Sequence, residues 1–154
     1  MTEMNPHSTA KIAGHPLHPM LIPFPIAFLV SALVTDLIAT TQGRPGFAEA
    51  SMWLLGAGVA MGLLAAVFGF IDFFGERRIR ALREVWLHMV GNLIAVALAA
   101  VNFYLRSTEG AQGSVPATGL VLSLLVVLLL LFNGWMGWAM VYKRHVGIAD
   151  NPNA

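Results

Sequence analysis

Four long apolar stretches alternate with short polar breaks along the chain. The stretches lie at about 20–40, 47–74, 82–105 and 117–142. Each is long enough to cross about 30 Å of hydrocarbon as a helix, which takes about 20 residues. The breaks at 41–46, 75–80 and 107–114 are rich in Gly, Ser, Thr and charged residues. Connections this short make consecutive helices antiparallel neighbours. The pattern predicts an all-α fold, an integral membrane antiparallel four-helix bundle occupying 14–145, between a polar tail at 1–13 and a C-terminal tail at 146–154.

Small and polar residues form stripes inside the apolar stretches. In the second, Ser51, Gly58, Gly62, Ala65, Gly69 and Asp72 follow one another at helical spacing on one face. Small residues let helix backbones approach closely in lipid, where no hydrophobic effect drives helices together. The third carries His88, Asn92, Ala95, Ala99 and Asn102 at the same spacing, and the fourth Asn133, Gly137 and Met140. Polar side chains in such helices face other helices, and these asparagines read as interhelical hydrogen bonding. Asp36 lies near the end of the first stretch, within reach of Arg106 or Arg44.

Composition reinforces the membrane assignment. The 154 residues are 57% hydrophobic and 11% charged, against about 25% charged in a soluble domain. A net charge of +1 gives no sign of nucleic-acid binding. The absence of cysteine excludes disulfides, thiolate-held iron–sulfur clusters and covalently attached haem within the chain. The first apolar run is too long for a signal-peptide core, follows a proline-rich stretch and has no nearby cleavage pattern, so it is expected to be retained.

Basic residues set the orientation. Lys11, Arg77, Arg78, Arg80, Arg83, Lys143 and Arg144 fall on one side of four spans, and only Arg44 and Arg106 on the other. The positive-inside bias places both termini in the cytoplasm of a bacterial inner membrane. Trp53, Trp86, Trp135, Trp138, Tyr104 and Tyr142 fall nearer span ends than centres, as interfacial aromatics do.

The segment before the first span holds the candidate chemistry. Prolines at 16, 19, 23 and 25 predict a non-helical stretch over 15–23, with a regular helix starting near Phe24. In a polyproline-like conformation His15 and His18 project from one side, about 9 Å apart. His88 lies about two turns into the third span, and Asp72 one turn before the second ends. By depth, His15, His18, Asp72 and His88 gather at the end that carries the termini. An ionisable residue within the membrane is a functional hypothesis by default. The structural alternative has Asp72 paired with Arg77 or Arg78, and the histidines bonded to Asp72 or to backbone.

Gly14-His-Pro-Leu-His-Pro-Met20, Phe24-Pro-Ile26, Gly69-Phe-Ile-Asp72 and His88-Met-Val-Gly-Asn92 together resemble the signature of a bacterial membrane family classed as domain of unknown function 2231. The resemblance runs from about residue 14 to 144. It implies a four-helix membrane protein without an assigned activity. Some members are joined to c-type cytochrome or Rieske-type domains, which implies redox partners.

Three functions follow as expectations. The first is a structural or accessory membrane subunit with a histidine-rich site. The second is an electron-transfer subunit that binds a metal or haem b, with His88 and His18 or His15 as axial ligands and Asp72 orienting an imidazole. The third is a proton or small-solute pathway. An enzyme is the least favoured reading: no phosphate-cradling loop and no His-Glu-x-x-His motif is present.

Overall fold

A computed structural model describes residues 5–148. The outer parts of both tails, 1–4 and 149–154, lie outside the described residues. Two short strands, β1 (Lys11–Ile12) and β2 (His15–Pro16), pair antiparallel. Helices α1 (Leu17–Leu21), α2 (Pro23–Gln42), α3 (Pro45–Gly75), α4 (Arg77–Arg80), α5 (Arg83–Glu109), α6 (Ala111–Ser114) and α7 (Leu120–Arg144) follow. A π-helical turn, Val115–Gly119, joins α6 to α7. Pro116, which has no N–H to donate, stands in that turn.

Four stretches are long and apolar enough to cross a membrane: Leu17–Gln42, Pro45–Gly75, Arg83–Glu109 and Leu120–Arg144. Each helix packs against two neighbours, in the cyclic order α2, α3, α5, α7. Leu29, Ala32, Leu55, Ala99 and Val126, drawn from all four, meet in the buried core. Large apolar residues such as Val34, Leu64, Val101 and Leu128 point outward, as they do where the surroundings are lipid.

The small-residue stripe of α3 faces inward. A Cβ on Gly58 would come within 2.6 Å of Leu29, and one on Gly62 within 2.9 Å of Val96. The end of α2 meets the start of α3 where Asp36 bonds to Ser51. His18, just before α2, meets Ala65 and Gly69 near the other end of α3. The first and last described residues meet, as Asn5 Nδ2 donates to the Ile148 carbonyl.

The proline-rich segment departs from expectation. Residues 17–21 form a helical turn where a non-helical stretch was expected, while α2 begins at Pro23, beside the expected start near Phe24. The first four N–H groups of a helix have no intrahelical acceptor. Pro19 sits in the first turn of α1, and Pro23 and Pro25 in the first turn of α2, so no helical hydrogen bond is lost. The chain turns back before them through Ala13 and Gly14, at φ 49° and 81°. Gly14 suits that left-handed region because it has no Cβ. The polyproline spacing of His15 and His18 therefore does not arise: His15 lies in β2 and His18 in α1.

Candidate functional site

The two ends of the bundle hold different polar chemistry. At the end away from the termini, Asp36 of α2 and Arg106 of α5 form an ion pair with no exposure of either side chain. The guanidinium donates to both carboxylate oxygens, at 2.6 and 2.8 Å. Arg106 Nε donates to Asn102 Oδ1 at 2.9 Å, and its remaining N–H groups reach Ser51 and Ser123. Ser51 and Ser123 in turn donate to Asp36. Asn102 Nδ2 donates to Ser123 and to the Gly119 carbonyl. All five N–H groups of the guanidinium are thus satisfied, and both carboxylate oxygens accept two bonds. Asp36 finds Arg106 rather than Arg44.

At the other end, His18 and His88 come together, with ring centroids 6.4 Å apart and planes nearly perpendicular at 85°. His18 Nδ1 lies 2.8 Å from the Ala65 carbonyl, and His88 Nδ1 lies 3.0 Å from the Asn133 carbonyl. A carbonyl only accepts, so each Nδ1 carries the proton, and in the neutral ring Nε2 keeps its lone pair. Neither Nε2 is hydrogen-bonded among the described residues.

Both rings line a cavity of about 420 Å³ whose wall includes Pro25, Phe70, Leu130 and Trp138. Glycines make room for the imidazoles. A Cβ on Gly69 would lie 3.1 Å from the His18 ring, and one on Gly137 would lie 3.4 Å from His88. Asn92 Nδ2 donates to the His88 carbonyl, and Asn133 Nδ2 to Asn92 Oδ1. Asn133 Oδ1 is buried without a donor and rests against Gly91, where a Cβ would come within 2.2 Å.

The other two expected site residues have different surroundings. Asp72 lines the cavity but orients neither imidazole. Its Oδ1 accepts from the N–H groups of Thr9 and Ala10 at 2.7 and 2.8 Å, and Ser8 Oγ donates to both carboxylate oxygens. Nor is it held by Arg77 or Arg78; Arg78 pairs with Glu76. A short segment rich in N–H and hydroxyl donors reaches the carboxylate first. His15 is exposed, its Nδ1 bonded to the Ala13 carbonyl at 3.0 Å, and it does not line the cavity.

The partners that hold His18 and His88 are backbone carbonyls, which leave no trace in residue identity. Gly69 and Gly137 were visible as small residues, but their match to one imidazole each was not. Among the described residues, no three His, Cys, Asp or Glu side chains gather to hold a metal ion.

Four membrane-length helices around an apolar cavity with two imidazoles fit a multi-pass membrane protein with a pair of histidines between its helices. The family model described as "Predicted membrane protein (DUF2231)" matches residues 14–150, and the chain belongs to that family. No curated protein and no solved structure matches the chain.

Proposed function

We propose that the protein is a membrane electron-transfer subunit that holds haem b between His18 and His88. The observation that carries this reading is the imidazole pair. Each Nδ1 is committed to a carbonyl and each Nε2 is left free, the arrangement in which a second hydrogen bond fixes a metal-binding histidine. The rings lie 6.4 Å apart, close enough for both to reach one bound group.

The donor set favours haem over a bare ion. Two protein ligands are too few for a closed zinc site, which takes four. Haem brings its own ring nitrogens and needs axial ligands only. An apolar cavity of about 420 Å³ also falls in the usual size range for cofactor sites. His18 and His88 would hold the group, and the Ala65 and Asn133 carbonyls would fix their tautomers. The haem supplies one-electron chemistry when bound. The basic residues at that end favour a site toward the cytoplasmic face of a bacterial inner membrane, with both termini inside. The c-type cytochrome and Rieske-type domains joined to some relatives suggest the class of redox partner.

A structural accessory subunit without a cofactor is the second reading. The Asp36–Arg106 network favours it, because there buried ionisable groups serve packing alone. That same sealed network counts against a proton or solute pathway across one chain. The test is to purify the protein in mild detergent from a haem-sufficient bacterial host and record oxidised and reduced absorption spectra. A stoichiometric Soret band with reduced α and β bands supports haem b. A folded, colourless, metal-free protein sinks it and leaves the accessory role.

A further inference from the structure

The end of the bundle that carries the termini has a second concave feature, on its outer surface. A groove of about 670 Å³ lies between the start of α5 and the end of α7, lined by Ala81, Leu82, Arg83, Glu84, Leu87 and Arg144. Arg144 Nε and Nη2 both donate to Glu84 Oε1, at 3.1 and 2.7 Å, and the Arg144 side chain is 51% exposed. Arg83 is exposed and makes no hydrogen bond or ion pair among the described residues. Two guanidiniums thus face one carboxylate, and the groove keeps a net positive charge.

Below Arg83 the same helix changes character. Leu87, Val90 and Ile94 continue from it at steps of four, three and four, so they share its face. All three are exposed, between 40% and 47%. Trp86, also exposed, donates through Nε1 to the Arg80 carbonyl at 2.9 Å. On α7, Lys143 Nζ stands 5.5 Å from the Trp138 ring centre. Cationic head positions and an apolar lane therefore succeed one another along one face of α5.

We infer that this groove binds an anionic phospholipid, its phosphate at Arg83 and Arg144 and one acyl chain along Leu87, Val90 and Ile94. The apolar lane favours a lipid over an acidic peptide or a free anion, because only a lipid fills both halves. Basic pockets between membrane helices hold anionic headgroups in this way. A basic side chain near an anionic headgroup contributes about 1 kcal/mol, which is about a fivefold change in affinity.

The test is native mass spectrometry of the full chain in detergent, titrated with phosphatidylglycerol, phosphatidylcholine or inorganic phosphate. Phosphatidylglycerol is expected to bind more tightly than phosphatidylcholine. Arg83→Gln should weaken phosphatidylglycerol about fivefold and weaken phosphatidylcholine, whose choline offsets its phosphate charge, by less. Arg83 makes no internal bond, so this variant keeps the fold; Arg144→Gln gives a second reading of the same site. Arg44→Gln, at the other end, should change neither lipid. Equal binding of the two lipids, an unaltered preference in Arg83→Gln, or displacement of phosphatidylglycerol by an equal concentration of inorganic phosphate would each overturn the assignment.

Discussion

The two ends of the bundle solve the problem of buried polar groups in opposite ways. Around Asp36 and Arg106, side chains from all four long helices close a network in which every carboxylate oxygen and every guanidinium N–H has a partner. Nothing there is left to bind. Around His18 and His88, the rings are fixed equally well through Nδ1, yet each keeps an unsatisfied Nε2 beside a cavity. A saturated polar cluster locks helices together, and an undersaturated one facing a cavity can take a ligand. The contrast turns on whether polar groups are left unpartnered rather than on the presence of charge, since the ion pair lies at the saturated end.

The largest expected effect tests the locked end. Arg106→Met leaves the Asp36 carboxylate buried and unpaired, which should cost about 3–5 kcal/mol. Thermal unfolding in detergent should show a large drop, and a change near zero would mean that the network does not hold the helices. Next comes the support of His88. Gly91→Ala forces a Cβ against Asn133 Oδ1 and should cost about 2 kcal/mol; a wild-type melting curve would remove the argument that Asn133 is held in place.

A smaller effect is expected at the N-terminal strap. Asp72→Ala removes the acceptor for Ser8, Thr9 and Ala10. It should destabilise by about 1.5 kcal/mol. Faster amide exchange should then appear at Thr9 and Ala10, with the bundle core unchanged; unchanged exchange at both would show that the strap is held by other contacts. The smallest effect is at His15, where replacement by Ala should shift stability by less than about 0.5 kcal/mol and leave any bound chromophore unaltered. A loss of pigment in His15→Ala would move the site outward and blur the contrast between the two ends.

Much of this was legible in the sequence because lipid imposes simple rules. Span length and the stripes of Gly and Ala identify the four helices and the buried face of α3, and depth alone brings His18 and His88 to one end. Two things were hidden. The proline segment was expected to stay non-helical, but its prolines fall where helix N–H groups have no intrahelical acceptor, so the turn at Leu17–Leu21 forms regardless. Asp72 was grouped with the histidines by depth, whereas donors from Ser8–Ala10, read as mere tail, claim its carboxylate. Ser123, a lone serine among Leu and Val, was the one overlooked signal of the Asp36–Arg106 network.

The most direct measurement is a haem titration of purified, detergent-solubilised protein followed by absorption, for the wild-type chain, His18→Ala and His88→Ala, with circular dichroism to confirm that each remains helical. Saturation at one haem per chain with a six-coordinate, low-spin spectrum, and loss of that spectrum in either variant, is the predicted result. A folded wild-type chain that takes up no haem, or variants whose spectra match the wild type, would contradict a haem site at His18 and His88.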